Sequence, residues 1–337
     1  ERIRMNPQSH NKQARINQPR INLPRINLIY IASIGRSGST LLESMLGAHT
    51  RIQTMGELHI WPHEIEQGGV RPCSCGEFVE QCPFWSEMRR RVDPLAQPEP
   101  RLHFFREKHN GGRTLRLPKL AAFKRGFTPT GESKRQIDTY GRNNADIFTT
   151  FVALMKEQLG ETPDWIVDAS KDPYRLAWLH HSGLFNLKVI HLVKDPRAFI
   201  YSVTKHLSDA DAGFNLHKRL YYTGRQSGAW ITQNALFSRL AASFFDAGTY
   251  QLINYETLAT DPEGTFQAVC DFLGTPYEAD AVHNFREGSV HTIAGNPMRY
   301  ENRGISLDEK WKTRLPASSR TLASLLTAST KARYGYR

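Results

Sequence analysis

Between an apolar segment at residues 27–34 and a stretch whose Leu41, Leu42, Met45 and Leu46 recur at helical spacing lies Gly35-Arg36-Ser37-Gly38-Ser39-Thr40. Strand, tight turn and helix in that order make a phosphate-binding loop. The glycines let the backbone turn sharply and approach an anion, and the N–H groups opening the helix face it with the positive end of the dipole. Arg36 adds a cation that a plain turn does not need. The loop is not the nucleoside triphosphatase pattern G-x-x-x-x-G-K-[ST], because Ser39 stands where the lysine belongs.

The strand-then-helix unit recurs downstream. Short apolar segments at 165–167, 187–193 and 251–253 are each followed by a predicted helix, at 173–181, 196–206 and 262–273. Asp172-Pro173, Asp195-Pro196 and Asp261-Pro262 open these helices, with proline where its missing N–H costs nothing. Such a succession predicts an α/β fold, a three-layer sandwich with a mainly parallel sheet of the P-loop nucleotide-binding type. Ligands then collect beyond the C-terminal ends of the strands.

Positive charge is concentrated in two places. The 337 residues carry a formal +11, yet residues 1–25 alone carry a net +5 and residues 101–142 a net +8, so the remainder is nearly neutral. Pro19-Arg20-Ile21-Asn22-Leu23 is echoed by Pro24-Arg25-Ile26-Asn27-Leu28, and the repeated proline disfavours a helix. Residues 1–27 therefore read as a basic extended arm. Residues 28–337 read as a single domain with a basic surface insertion at about 86–142. No apolar run approaches the roughly 20 residues of a membrane span, and the polar, basic start shows no secretory h-region. Four cysteines make no disulfide scaffold, so the cytoplasm is the expected location.

Arg36-Ser37-Gly38-Ser39-Thr40-Leu41-Leu42 directly after a strand resembles the 5′-phosphosulfate loop of sulfotransferases that use 3′-phosphoadenosine 5′-phosphosulfate (PAPS). A second family motif is matched by Lys194-Asp195-Pro196-Arg197 with Ser202. Weaker similarity runs through Ser170-Lys171-Asp172-Pro173, Asn254-Tyr255-Glu256 and Gly295-Asn296-Pro297-Met298-Arg299. The layout is nearest to the bacterial/Golgi-type and protein-tyrosine branch. The resemblance implies that Arg36, Ser37, Gly38, Ser39, Thr40, Lys194, Ser202, Tyr255, Asn296 and Arg299 bind PAPS and its product 3′,5′-ADP, with no metal. Lys194 stands where the family usually has arginine; it keeps the charge and loses the bidentate fork, for which Arg299 is the candidate compensator.

Sulfuryl transfer needs a base for the acceptor hydroxyl and a cation at the leaving oxygen. The resemblance assigns these roles to Glu57, after the segment 52–55, and to Lys171, after 165–167. His59, two residues beyond Glu57, is the reserve base. The acceptor is a hydroxyl-bearing molecule, with an acidic one suited to the basic insertion, and no specific nucleic acid is implied.

Two other readings stand beside this one. A P-loop small-molecule kinase would use Asp168, at a strand end, for magnesium, although the loop lysine is missing. A basic polyanion or nucleic-acid binding protein would use the charge alone. Cys73, Cys75 and Cys82 fall within ten residues. They suit zinc if His59 or His63 supplies a fourth ligand, and otherwise read as buried thiols or one local disulfide; their spacing matches no standard zinc pattern. Cys270 reads as core.

Overall fold

The computed structural model describes residues 25–69, 71–98, 117–210, 215–286, 291–295 and 304–337. The chain opens with β1 (Ile26–Ser33), α1 (Ser39–Ala48) and β2 (Ile52–Thr54), and continues through α2 (Trp61–Glu66), α3 (Pro83–Arg91) and α4 (Gly131–Leu159) to β3 (Trp165–Asp168). Then follow α5 (Pro173–Ser182), β4 (Phe185–Val193), α6 (Pro196–Ala210), α7 (Leu216–Phe244) and β5 (Tyr250–Asn254). Five helices complete the order: α8 (Tyr255–Thr260), α9 (Pro262–Leu273), α10 (Asp280–His283), α11 (Trp311–Arg314) and α12 (Ala317–Ala332).

Among the described residues the five strands form one parallel sheet, ordered β2-β3-β1-β4-β5. Strands buried on both faces read as continuous apolar runs, and β1 illustrates why. Leu28, Tyr30 and Ala32 pack into one helical layer with residues of α2 to α5 and α7, whereas Ile29 and Ile31 pack into the other with α1 and α9. This is the three-layer α/β sandwich that the sequence predicts. From β1 the order steps outward in both directions, so the crevice at its C-terminal end is the switch point where such sheets bind ligands.

All three Asp-Pro pairs open helices. The Asp172 carboxylate accepts from the N–H groups of Tyr174 (2.8 Å) and Arg175 (3.3 Å), and Asp261 accepts from that of Gly264 at 3.0 Å. Among the described residues the two longest helices, α4 and α7, go beyond the sequence reading at 29 residues each. Residues 131–142, the end of the predicted basic insertion, are the first turns of α4. Ile137 and Tyr140 are buried there while Lys134, Arg135 and Arg142 stay exposed. Residues 1–24 of the predicted arm and 99–116 of the insertion lie outside the described residues. No helix among the described residues is long and apolar enough to cross a membrane.

Candidate active site

Five loops converge at the C-terminal edge of the sheet. The first follows β1, where Arg36 (φ 72°) and Gly38 (φ 88°) adopt left-handed backbone and Gly38 caps α1. Only glycine fits at 38, because a Cβ there would lie 2.2 Å from a ring carbon of Tyr255. The Leu41 and Leu42 N–H groups turn back onto the Gly38 carbonyl at 3.0 and 3.2 Å, which sets the first turn of α1 against the loop. Ser37 is fully buried, and its hydroxyl has no hydrogen-bond partner among the described residues.

Around this loop stand the cations. Arg36 Nε donates to Ser202 Oγ on α6 at 3.2 Å, joining two sequence-predicted residues 166 positions apart. Lys194, after β4, places its ammonium 4.1 Å from the centre of the Tyr255 ring, the same ring that packs on Gly38. Burial pushes the Lys194 ammonium below its ordinary pKa, Arg36 and Lys205 push the same way, and Glu256 and Asp308 oppose them. Gly38, Tyr255 and Lys194 thus form one contiguous wall, with Arg36 and Ser202 beside it. Asn296 and Arg299 lie outside the described residues.

The loops after β2 and β3 carry the proposed chemistry residues. Lys171 Nζ donates to Glu57 Oε1 at 2.7 Å, and the two side chains are 5% and 17% exposed. The two loops are fastened by backbone: the Ala169 N–H donates to Gly56 O (2.9 Å), and the His59 N–H to Ser170 Oγ (3.1 Å). His59 itself is buried at 3% exposure, which leaves Glu57 the more accessible of the two side chains. Lys171 has φ 59°, a left-handed conformation that costs a non-glycine residue about 1–3 kcal/mol.

Gln233 of α7 holds Lys171 in that conformation, a role the sequence does not reveal. Its buried Nε2 donates to Lys171 O at 2.7 Å and to Ser33 O, at the end of β1, at 2.8 Å. A single amide therefore ties the Lys171 loop to the strand that feeds the phosphate loop. Lys194 is held in a similar way, its carbonyl accepting from Trp230 Nε1 at 3.0 Å and the next N–H donating to Glu256 Oε1 at 3.1 Å. Glu256 belongs to a motif visible in the sequence. Gln233 lies mid-way along a helix that the sequence does not announce.

Asp168 is not placed to serve a magnesium ion. It is fully buried, its Oδ2 pairs with Arg175 Nε at 2.7 Å, and its Oδ1 accepts the Ser170 N–H at 2.9 Å. Arg175 also donates to Tyr140 and Asn144 of α4, at 2.7 Å each. The carboxylate is thus committed to joining β3, α5 and α4, which removes the feature that suggested a kinase. A cavity of about 950 Å³ lies beside the next turn, lined by Asp195, Arg197, Glu256 and Trp311, and includes neither Glu57 nor Lys171.

Comparison with known proteins adds to this geometry. A model described as the sulfotransferase family matches residues 29–279. Carbohydrate sulfotransferase 1 of Mus musculus is 27% identical over 165 residues, covering 45% of this chain and 39% of that protein. Protein-tyrosine sulfotransferase 2 of Gallus gallus is 23% identical over 205 residues, covering 58% and 50%. The chain therefore spans half or less of the length of these relatives. In fold it is similar to the sulfotransferase domain of the Synechococcus PCC 7002 olefin synthase, with a TM-score of 0.53 and 21% identity, covering 95% of this chain and 98% of that domain.

Proposed function

This chain belongs to the sulfotransferase family, and we propose that it transfers the sulfuryl group of PAPS to an acceptor hydroxyl by in-line displacement. The observation that carries the reading is the meeting of Glu57 and Lys171 at 2.7 Å on the same sheet edge as the phosphate loop. PAPS supplies the sulfuryl group and departs as 3′,5′-ADP. The loop suits its 5′-phosphate: the buried Ser37 hydroxyl has no partner among the described residues, and Gly38 leaves room where a Cβ would collide. Lys194 and Ser202 are assigned to the 3′-phosphate.

Each residue has one task in this scheme. Glu57 takes the proton of the acceptor hydroxyl, and Lys171 meets the charge that grows on the bridging oxygen of the departing phosphate. Their mutual hydrogen bond keeps both in place before the acceptor arrives; when Lys171 turns to the leaving oxygen, Glu57 is released to act as base. Sulfuryl transfer resembles phosphoryl transfer in this respect, since positioning and electrostatics do most of the work. The acceptor is assigned as a hydroxyl-bearing molecule. The named relatives are a carbohydrate and a protein-tyrosine sulfotransferase, and exposed Lys124 and Arg125 favour an acidic acceptor.

Glu57→Gln tests the assignment. Turnover with labelled PAPS should fall about 10²-fold or more, the scale of a lost general base, while the thermal shift on adding 3′,5′-ADP stays as in the wild type. Turnover within a few-fold of wild type moves the role to His59. A chain stabilised by ATP with magnesium, and not by 3′,5′-ADP, overturns the sulfotransferase reading.

A further inference from the structure

The segment between α2 and α3 folds into a small knuckle. Pro72 bridges Phe78, the Cys73 N–H donates to Glu77 O at 2.7 Å, and Gly76 turns the chain with φ 97°. This brings Cys73 and Cys75 alongside Cys82, which caps α3. None of the three is in a disulfide. The histidine that joins them is His291, 209 positions beyond Cys82, and neither His59 nor His63 belongs to the group.

The separations are those of a coordination shell. Cys75 Sγ and Cys73 Sγ each lie 3.7 Å from Cys82 Sγ; His291 Nδ1 lies 3.2 Å from Cys82 Sγ and 3.7 Å from Cys73 Sγ. All four donor atoms fall within 4.8 Å of one another. Ligands at about 2.3 Å (sulfur) and about 2.0–2.1 Å (nitrogen) from a tetrahedral centre stand roughly 3.8 Å apart sulfur to sulfur and roughly 3.5 Å nitrogen to sulfur. A disulfide would draw two sulfurs to about 2.05 Å and leave the third thiol and the imidazole with no common purpose.

Two further features support metal binding. Backbone N–H groups point at every sulfur: that of Cys75 at Cys73, that of Glu77 at Cys75, and those of Phe84 and Trp85 at Cys82. Such donors stabilise thiolates and offset the net negative charge of three of them around a divalent ion. The imidazole is also oriented, stacked on Phe84 with ring centroids 5.1 Å apart and planes within 5°.

We propose that Cys73, Cys75, Cys82 and His291 form a structural zinc site. Three cysteines and one histidine fill all four positions of a tetrahedral ion, so the site is closed and supplies no Lewis acid to a reaction. This revises the expectation, drawn from the sequence, that no metal is bound. The inference is independent of the sulfotransferase reading, since none of the ligands belongs to the chemistry proposed above.

The placement gives the site a task. Thr292 and Ser74 exchange hydrogen bonds, the Thr292 N–H donating to Ser74 Oγ (2.8 Å) and the Ser74 N–H to Thr292 O (3.2 Å). Ile293 bridges Cys73 on one side and Gly56 on the other, and its carbonyl accepts the Glu57 N–H at 2.9 Å. The ion therefore clamps the knuckle to the short 291–293 segment against which the Glu57 backbone is laid.

The full chain, produced with zinc in the medium and purified under reducing conditions, tests this. Elemental analysis and native mass spectrometry should find about one zinc per chain, and X-ray absorption should give a shell of three sulfurs and one nitrogen. Cys75→Ser and His291→Ala should lower zinc retention against a chelating indicator at least tenfold. In cobalt-substituted protein, Cys75→Ser should weaken the sulfur-to-metal charge-transfer band. Zinc removal should lower Tm and slow turnover, with the 3′,5′-ADP thermal shift retained. A folded wild-type chain that takes up no zinc or cobalt, one that retains zinc equally well as Cys75→Ser, or one that carries a disulfide within the knuckle when isolated with its thiols trapped at lysis overturns the proposal. The first and third outcomes do not depend on any variant folding.

Discussion

Lys194 is a cation held over an aromatic face in a buried wall, and its protonation should govern nucleotide binding. Burial lowers its pKa from the ordinary lysine value, whereas a phosphate at the site favours the charged form. Affinity for 3′,5′-ADP should therefore be greatest below that lowered pKa and weaken as the pH rises through it. Lys194→Arg, charged at every accessible pH, should flatten the dependence; titration calorimetry across the alkaline range checks this, and an unchanged slope in the variant removes Lys194 from the binding site. In the folded protein alone, the same depressed pKa costs stability at lower pH, and the cost fades as the pH rises through it. Residues of this kind are legible in a sequence because they sit in short motifs directly after strands: Arg36, Lys171, Lys194 and Tyr255 all do. His291 and Gln233 are not legible. The partners of His291 lie 209 and 218 positions away and Gln233 itself sits on an unannounced helix, so nothing in the local spacing distinguishes them from an ordinary surface histidine or helical glutamine.

At the scale of elements, the strands and Asp-Pro helices are visible because each is short, apolar or capped, and bounded by turn residues. The long helices are not, for physical reasons that differ. The start of α4 carries a basic run, Lys134-Arg135, that suggests a solvated insertion, although Thr130 and Ser133 form a capping box and Gly160 ends the helix in left-handed backbone. Along α7 the buried face mixes Thr223, Ser227, Gln233 and Asn234 with Trp230 and Phe237, so no clean apolar stripe emerges. That polar face reaches the candidate site, since Gln233 ties the end of β1 to the Lys171 loop. Gln233→Leu should strand two buried carbonyls and destabilise the chain by about 1–3 kcal/mol for each. It should also release Lys171 from its left-handed conformation and lower kcat, while 3′,5′-ADP affinity stays close to wild type. Urea denaturation and steady-state kinetics measure the two effects; loss of stability with kcat intact makes Gln233 a purely structural residue.

Across the whole molecule, charge and topology act separately. Outside residues 1–25 and 101–142 the chain is nearly neutral, and the excess charge sits in stretches apart from the loops that follow the strands. Lys124→Gln with Arg125→Gln should raise the KM for an acidic acceptor several-fold, and the wild-type KM should rise with salt toward that of the double variant as the attraction is screened. A KM that moves with neither change makes the basic stretch irrelevant to the acceptor. The parallel sheet carries a different consequence, for synthesis. The strand that feeds the phosphate loop is made before both of its neighbours, β3 and β4, with Leu28 beside Ile166 and Leu187. Everything from α1 to α4 must therefore leave the ribosome before this strand has a companion. Until then the phosphate loop has no sheet beneath it to fix its shape, so long-range strand pairing sets the pace at which the loop forms.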